Sequence, residues 1–160
     1  PVLFVCEDNR ISATTPSAAM TAGENAASRR AEAMDIPALR VDGNDVEAVS
    51  AAAARLTAEV RSGQGPRLLH AITYRLKGHV SVDAAAYRDA AEVESALKND
   101  PIANARERLK AQGLGPAAER IEREARNEIA VAVATATNAP PPAAEAAYAD
   151  VITAGQGVWQ

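Results

Sequence analysis

Two short stretches of this sequence carry the side chains that bind metal ions, bind anions and transfer protons. The first is CEDNRIS (6–12), in which Asp8 and Asn9 directly follow an apolar run. Carboxylate and amide oxygens are ligands that Mg²⁺ prefers, often together with phosphate oxygens. The same residue types also form common turns and caps, so the residue types alone leave a metal site and a plain turn both open.

The second stretch is YRLKGHVSVDAAAYR (74–88), which surrounds a glycine with charged side chains. Its candidate functional residues are Arg75, Lys77, His79, Asp83, Tyr87 and Arg88. Arginine and lysine bind anions, and histidine transfers protons near neutral pH. A solvated loop is the alternative interpretation. The other histidine of the chain, His70, lies in an apolar segment, where a packed and hydrogen-bonded side chain is expected.

The elements that position these stretches alternate between strand and helix over the first half of the chain. The apolar segments 2–6, 36–41 and 66–76 are predicted strands, and the first and last of them are expected to be buried. The segments 17–34 and 42–63 are predicted helices. This order predicts an α/β fold with a parallel sheet and right-handed crossovers. Ligands bind beyond the carboxyl ends of such strands, where both polar stretches begin.

Capping signals and breaks refine the predicted helices. In the second helix, Asp42 or Asn44 is the expected N-cap, and Gly63 closes the helix. The second half of the chain is predicted to be helical, in segments that Pro101 and Gly113 separate, namely 90–100, 100–113 and 117–139.

Composition and charge exclude several classes of function. With 160 residues, the chain is long enough for one ordinary domain with a core. A net charge of −4 argues against non-specific binding of nucleic acid, which requires a basic surface, and no apolar run approaches the length of a membrane span. Cys6 is the single cysteine. We therefore expect neither disulfides nor a thiolate metal cluster, and a reducing cytoplasm is the expected location.

Six segments of the chain resemble one enzyme family in their order and spacing. They are FVCEDNRISATTP, LRVDGNDVEAV, GPRLLHAITYRLKGH, YRDAAEVES, DPIANARERL and YADVITA. Together they cover essentially the whole chain and are more specific than any single motif. The chain resembles the alpha subunits of thiamine-diphosphate-dependent 2-oxo-acid dehydrogenases. These are the decarboxylating components of the pyruvate, branched-chain 2-oxo-acid and acetoin dehydrogenase complexes.

The resemblance implies roles for individual residues. In this family a Gly-Asp-Gly and a later Asn-Asn pair hold the Mg²⁺ of thiamine diphosphate. Asn9 matches the second Asn, whose side chain binds the metal, and Ile11 matches the residue whose backbone carbonyl binds it. His79 matches an active-site histidine beside the cofactor diphosphate and the substrate, where it serves catalysis. Arg75 would order that site and contribute to cofactor binding.

The resemblance also implies a domain organisation and an activity. Residues 1–88 correspond to the carboxyl-terminal half of a thiamine-diphosphate-binding domain with a parallel sheet. Residues 89–160 correspond to a helical extension that packs on this half-domain or on partner subunits. The implied reaction is decarboxylation of a 2-oxo acid and transfer of the acyl or aldehyde unit.

Ile11 stands where a tyrosine is more usual in this family, and four other positions also depart from the family pattern. Asp8 stands where the first Asn of the pair is usual, and His70 stands where a strand glutamate is usual. Val80 and Ala84 replace a serine and a proline in the second loop. The residue types alone give no account of His70.

The resemblance further implies partners. No Gly-Asp-Gly occurs in these 160 residues, so we expect another polypeptide to supply it, from a split gene or a cleaved subunit. A beta-type subunit and a lipoyl acyltransferase that accepts the acyl group are further expected partners. Two other functions stay open. One is a split transketolase-like or carboligase enzyme that forms carbon–carbon bonds, and the other is a non-catalytic scaffold subunit.

Overall fold

The computed structural model describes residues 1–21 and 23–148, and its first compact unit, Pro1–Gly115, contains a parallel sheet. The strands are β1 (Leu3–Asp8), β2 (Ile11–Ser12), β3 (Thr15–Pro16), β4 (Ala38–Asp42) and β5 (Arg67–Ile72). The helices of this unit are α1 (Ala26–Glu32), α2 (Val46–Arg61), α3 (Ala90–Leu97) and α4 (Pro101–Ala111). The sheet order is β1-β5-β4, with β5 parallel to both neighbours. The predicted α/β fold with a parallel sheet is confirmed.

The central strand β5 is covered on both of its faces. Leu69 packs with Leu56 of α2 in the core, whereas the next residue, His70, is hydrogen-bonded to Ser28 of α1. Successive side chains of a strand point to opposite faces, so α1 and α2 lie on opposite sides of β5. The predicted burial of this strand is confirmed, although the strand is shorter than the predicted 66–76.

The prediction that the opening strand is buried is wrong for the described chain. Phe4 and Val5 of β1 are 47% and 59% exposed. β1 lies at the edge of the sheet, and α1 and α2 pack mainly over β4 and β5. Leu3 is the β1 side chain that packs against the core. The apolar run identifies the strand, but it does not identify the place of the strand in the sheet.

The predicted helix over 17–34 forms only in its later part. α1 begins at Ala26, after a single turn of 3₁₀ helix at Ser17–Ala19. Gly23 and Asn25 have φ values of +77° and +55°. These left-handed conformations cannot continue an α-helix. The backbone reversal that directs α1 over β5 outweighs the helix propensity of this segment.

The N-cap of α2 differs from the prediction, whereas its end does not. Asp45 caps the helix, and its Oδ1 accepts from two backbone N–H groups of the first turn at 3.1 and 3.2 Å. The predicted caps Asp42 and Asn44 lie too early in the chain to reach these donors. Asp42 Oδ1 instead accepts from the N–H of Asn44 at 2.9 Å. Gly63, with φ of +83°, follows the last turn as predicted.

Asn44 is buried and connects three segments of the unit. Its Oδ1 accepts a hydrogen bond of 2.6 Å from the Thr73 hydroxyl, directly after β5. Its amide nitrogen donates to the carbonyl of Asn99, between α3 and α4, at 2.9 Å. Asn44 therefore attaches the segment between α3 and α4 to the carboxyl edge of the sheet.

The helices predicted for the second half of the chain are confirmed, together with their breaks. Pro101 is the first residue of α4, and Gly113 has φ of +76° after its end. A further helix, α5 (Gly115–Asn138), continues into the second compact unit, which begins at Pro116. None of the helices within the described ranges is long and apolar enough to cross a membrane.

Two sequence-based assignments are not tested by this fold. The segment YADVITA lies outside the described residues beyond Tyr148. The functional division between 1–88 and 89–160 stays a prediction, because the compact units are separated at Gly115 on packing alone.

Arg108 holds α4 against the start of α2. Its guanidinium donates to Asp45 Oδ1 and Oδ2 at 2.9 and 2.8 Å and to Glu47 Oε2 at 3.1 Å. The hydrogen bond from Arg108 and those from the capped N–H groups lower the pKa of Asp45 to about 2. Because this pKa is depressed in the folded chain, the contribution of Asp45 to stability is present above pH 3.8 and is lost as the pH falls through about 2.

We expect Arg108→Ala to release α4 without unfolding the sheet. Amide hydrogen exchange in 101–111 should become several-fold faster, because the bidentate ion pair to the α2 cap is lost, while exchange in β5 stays unchanged. Lys110→Ala is the matched control, since the ion pair of its ammonium, with Glu107 at 3.9 Å, lies within its own helix. Equal exchange in both variants would show that Arg108 does not hold α4.

Candidate functional site

The two polar stretches leave neighbouring strands at the same edge of the sheet. β1 ends at Asp8 and β5 ends at Ile72, and these two residues are aligned in the parallel register. The N–H of Thr73 donates to the carbonyl of Asp8 at 2.9 Å and extends this pairing by one residue. The turn after β1 and the loop after β5 therefore start side by side.

The turn after β1 is held by its own side chains. Asp8 Oδ1 accepts from the N–H of Arg10 at 2.9 Å, and Asn9 Oδ1 accepts from the N–H of Ile11 at 3.0 Å. Arg10 has φ of +62°, a left-handed conformation that is unusual for a residue with a Cβ atom. Beyond it, β2 and β3 form a short antiparallel ribbon that returns the chain to the sheet edge.

The donor atoms of this turn fit part of a Mg²⁺ site. An amide oxygen has two lone pairs, so Asn9 Oδ1 can accept from Ile11 and still bind a metal. Pro16 lies opposite Ile11 in the ribbon and has no N–H to offer to the Ile11 carbonyl. The described ranges contain no group of three or more His, Cys, Asp or Glu side chains that could hold a metal. Mg²⁺ takes about six oxygen ligands, so this turn can supply only some of them.

Arg75 connects the second loop to the first. Its guanidinium donates to the carbonyl oxygen of Ala13, and its other terminal nitrogen lies 2.9 Å from His79 Nδ1. The Tyr87 hydroxyl oxygen lies 3.3 Å from the same Ala13 oxygen. Of the predicted site residues, Arg75 and His79 are thus in contact, and their link to the turn that carries Asn9 and Ile11 runs through Ala13.

The contact with Arg75 determines which nitrogen of His79 carries the proton. A guanidinium can only donate hydrogen bonds, so the Nδ1 atom must be the acceptor. The neutral ring then carries its proton on Nε2. The His79 side chain belongs to an exposed residue, and its Nε2–H group can donate to an anionic oxygen.

Asp83 organises the second loop from within. Its Oδ2 accepts from the N–H of His79 at 2.7 Å and from the Tyr87 hydroxyl at 2.9 Å, and its Oδ1 accepts from the N–H of Ala85 at 2.8 Å. The backbone N–H groups of His79 and Ala85 and then the Tyr87 hydroxyl lower the pKa of Asp83. A Cβ atom at Gly78 would lie 2.8 Å from the Asp83 side chain, so glycine permits this close approach.

Arg88 holds the C-terminal end of the second loop against its beginning. Its guanidinium lies over the ring of Tyr74, 4.6 Å from the centroid, and donates to the carbonyls of Lys77, at 3.0 Å, and Arg75. The hydroxyl of Tyr74 and the Nε atoms of Arg75 and Arg88 are buried without a hydrogen-bond partner among the described residues. Unsatisfied buried donors cost free energy, so an acceptor ligand or water here would stabilise the loop.

A cleft of about 510 Å³ separates the two loops from α3. Ile11, Tyr74, Tyr87 and Arg88 are among its lining residues, whereas Asn9, Arg75 and His79 are not. A second cleft, of about 700 Å³, lies beyond the ends of β4 and β5. The predicted site residues thus surround a shared edge of the sheet and do not line a single closed pocket.

The structure explains two departures from the family pattern together. His70 is fully buried, and its Nε2 lies 3.0 Å from Asp8 Oδ2, so the two unusual residues contact each other. The Nδ1 atom of the same ring lies 2.7 Å from Ser28 Oγ. The interpretation of His70 as a packed, hydrogen-bonded residue is confirmed. The sequence does not by itself predict the contact of His70 with Asp8. The available signal is that both residues depart from the family pattern.

The net pKa of Asp8 lies below its ordinary value. Partial burial raises the pKa of this carboxyl, but the N–H of Arg10 and the ring of His70 lower it by more. The carboxylate is therefore the form that holds the turn near neutral pH.

We expect Asp83→Ala to disorder the second loop while the sheet stays folded. Tryptic cleavage after Lys77 and Arg88 should become at least several-fold faster, because three hydrogen bonds inside the loop are lost. Ser81→Ala, an exposed change in the same loop, is the control. Unchanged cleavage of Asp83→Ala would contradict this role.

The order of the second loop is also expected to depend on pH through Asp83. In the unsubstituted chain, the loop should be protected above pH 3.8 and lose protection as the pH falls through the lowered pKa of Asp83.

Comparison with known proteins identifies the family of the chain. A family model described as "Dehydrogenase E1 component" matches residues 1–145. The chain is 35% identical over 155 residues to "Pyruvate dehydrogenase E1 component subunit alpha" of Rhizobium meliloti (strain 1021), covering 95% of this chain and 44% of that protein. It is 38% identical over 152 residues to "2-oxoisovalerate dehydrogenase subunit alpha" of Bacillus subtilis (strain 168), covering 92% of this chain and 45% of that protein.

The chain spans less than half the length of these relatives. The match nevertheless extends over nearly all of the described residues and includes both loops at the carboxyl edge of the sheet. The resemblance found in the six sequence segments is thereby confirmed, and the chain belongs to the family of dehydrogenase E1 components.

Proposed function

We propose that this chain is the part of an alpha-type subunit that completes the cofactor site of a thiamine-diphosphate-dependent 2-oxo-acid dehydrogenase. The reaction would be decarboxylation of a 2-oxo acid and transfer of the acyl unit. The observation that carries the proposal is the juxtaposition of the turn after β1 with the loop after β5, through Arg75. Because the chain belongs to the E1 family, we interpret these neighbouring loops as part of a cofactor site.

Asn9 and Ile11 are proposed to hold the Mg²⁺ of the cofactor, through the side-chain oxygen and the backbone carbonyl respectively. Thiamine diphosphate, when bound, supplies the carbanion chemistry that a 2-oxo acid needs to lose carbon dioxide. The protein's part is to bind the diphosphate through its metal and to hold it in one orientation. The turn geometry, with Asn9 Oδ1 already bonded to the N–H of Ile11, supports this role because it orders both donors together.

His79 is proposed as the catalytic residue, and Arg75 as the residue that orients it. Arg75 occupies Nδ1 of the ring and leaves the Nε2 proton for a phosphate oxygen or a substrate oxygen. The positive charge of Arg75 also favours an anionic ligand at this edge of the sheet. The loop network around Asp83 supports the arrangement, because it fixes the backbone of His79.

Partners are proposed for the functions that these residues do not provide. A Gly-Asp-Gly segment is absent from the sequence, and we assign it to a partner polypeptide or to another part of the same protein. A beta-type subunit would complete the active site, and a lipoyl acyltransferase would accept the acyl unit. The exposed apolar residues of β1, an edge strand, support association with further structure. Residues 89–160 would then be the helical extension.

Native mass spectrometry of the assembly that contains this chain, with Mg²⁺ and thiamine diphosphate, tests the proposed function. A bound cofactor mass and release of carbon dioxide from pyruvate or 3-methyl-2-oxobutanoate are expected. Acyl transfer should require a lipoylated acceptor. A ketol product formed without that acceptor would instead indicate a carboligase. Absence of cofactor and of carbon dioxide release would overturn the proposal and favour the scaffold.

We expect Asn9→Ala to weaken binding of thiamine diphosphate at limiting Mg²⁺ by about 10- to 100-fold, because one oxygen ligand and one turn hydrogen bond are lost. Isothermal titration of the assembly with the cofactor measures this loss. Asn127→Ala, an exposed asparagine on α5, is the matched control. Unchanged affinity in Asn9→Ala would remove this residue from the metal site.

We expect His79→Ala to separate catalysis from cofactor binding. The turnover rate should fall by about 10²- to 10⁴-fold, the range for loss of a proton-transferring group, whereas the dissociation constant of thiamine diphosphate should rise by only about tenfold, as for loss of one hydrogen bond. Val82→Ala, which lies in the same loop and is 88% exposed, is the control. A normal turnover rate in His79→Ala would reject the proposed catalytic role.

A further inference from the structure

A buried row of three side chains joins α1 to the turn that carries Asn9 and Ile11. Ser28 Oγ of α1 lies 2.7 Å from His70 Nδ1, and His70 Nε2 lies 3.0 Å from Asp8 Oδ2. Ser28 and His70 are 1% and 0% exposed. The row crosses the sheet edge from a helix, through the central strand β5, to the last residue of β1.

Each member of the row has one hydrogen-bonding role. A carboxylate can only accept, so His70 Nε2 carries a proton and donates it to Asp8. In the tautomer with this proton on Nε2, the Nδ1 atom accepts a hydrogen bond from the Ser28 hydroxyl. The arrangement contains the three residue types of a hydrolytic triad, but Ser28 is buried and lines none of the clefts beside the two loops. A nucleophilic role therefore does not apply.

The other carboxylate oxygen of Asp8 connects the row to the turn that carries the proposed metal ligands. Asp8 Oδ1 accepts from the N–H of Arg10, whose φ is +62°. Left-handed backbone at a residue with a Cβ atom costs free energy, and it persists only where the surroundings hold it. Asp8 is held by a buried ring on one oxygen and holds this strained residue with the other. The neighbours of Arg10 on both sides are Asn9 and Ile11.

We infer that the Ser28–His70–Asp8 row is a positioning device for the Mg²⁺-binding turn, so that the residue types at positions 8 and 70 are coupled. The inference rests on the proposed function of Asn9 and Ile11. A carboxylate at one of the two positions requires a donor at the other, because two buried acceptors in contact are not satisfied. Asp8 with His70 meets this requirement, and an amide at position 8 with a carboxylate at position 70 would meet it with the roles exchanged.

The test is a double-mutant cycle in the assembly that contains this chain, with Mg²⁺-dependent binding of thiamine diphosphate measured by isothermal titration. His70→Glu should weaken the apparent Mg²⁺ affinity by about 10- to 100-fold, since it places two carboxylates together. Asp8→Asn alone should change it by less than about threefold, because the ring and the Ser28 hydroxyl can reverse their donor and acceptor roles. The double variant Asp8→Asn/His70→Glu should recover most of the loss.

Ser28→Ala extends the test if His70→Glu does not fold. It removes one hydroxyl and is expected to raise the Mg²⁺ concentration for half-saturation several-fold, while binding at saturating Mg²⁺ stays normal. Ser50→Ala, an exposed serine of α2, is the matched control. A role in folding alone would lower the melting temperature without moving the Mg²⁺ dependence.

The outcomes distinguish a failure of this inference from a failure of the proposed function. Suppose that the unsubstituted assembly binds the cofactor, but the effects of Asp8→Asn and His70→Glu are additive and the double variant shows no recovery. This result would overturn the inference and leave the proposed function standing. An unchanged Mg²⁺ dependence in Ser28→Ala would have the same consequence. An unsubstituted assembly that binds neither Mg²⁺ nor thiamine diphosphate would overturn both. Rescue in the double variant would support the coupling, because a general loss of packing cannot be repaired by a second substitution that removes a charge.

Discussion

The parallel pairing of β5 with β1 is the constraint on which the rest of the molecule depends. It aligns Asp8 with Ile72, so the two polar segments that follow these residues must begin within hydrogen-bonding distance of each other. Covering helices then follow from the alternation of side chains on β5, with Leu69 toward α2 and His70 toward α1. Because the strands run in one direction, their carboxyl ends and the loops that follow them lie at one edge, where ligands of such sheets bind.

Beyond that edge the chain is ordered mainly by charged and polar side chains. Arg75 connects the second loop to Ala13 through a hydrogen bond, and Asp83 accepts hydrogen bonds from three donors of its own loop. Charge-assisted hydrogen bonds are directional, so they can hold a backbone that has neither helix nor strand geometry. In the proposed function, Arg75 and the His79 ring that it contacts would lie against an anionic cofactor. Loop order and ligand binding are therefore expected to depend on one another.

Membership of the dehydrogenase E1 component family relates these observations to longer proteins. The chain covers less than half of its relatives, and its turn can offer a metal only part of a coordination shell. Exposed apolar residues on β1 are consistent with that view, because an edge strand with such side chains is stabilised by further pairing. Asp8 and His70, which both depart from the family pattern, contact each other in this chain.

The sequence by itself determined the parallel α/β fold, the breaks at Pro101 and Gly113, and the family, because these depend on local propensity and on the order of segments. It did not reveal that the segment 17–34 is interrupted before α1, that Asp45 caps α2, or that β1 is an exposed edge. Those features depend on left-handed backbone and on which strand lies in the centre. Only the tertiary structure decided that His70 meets Asp8, since residues 62 positions apart become neighbours through the register of two strands.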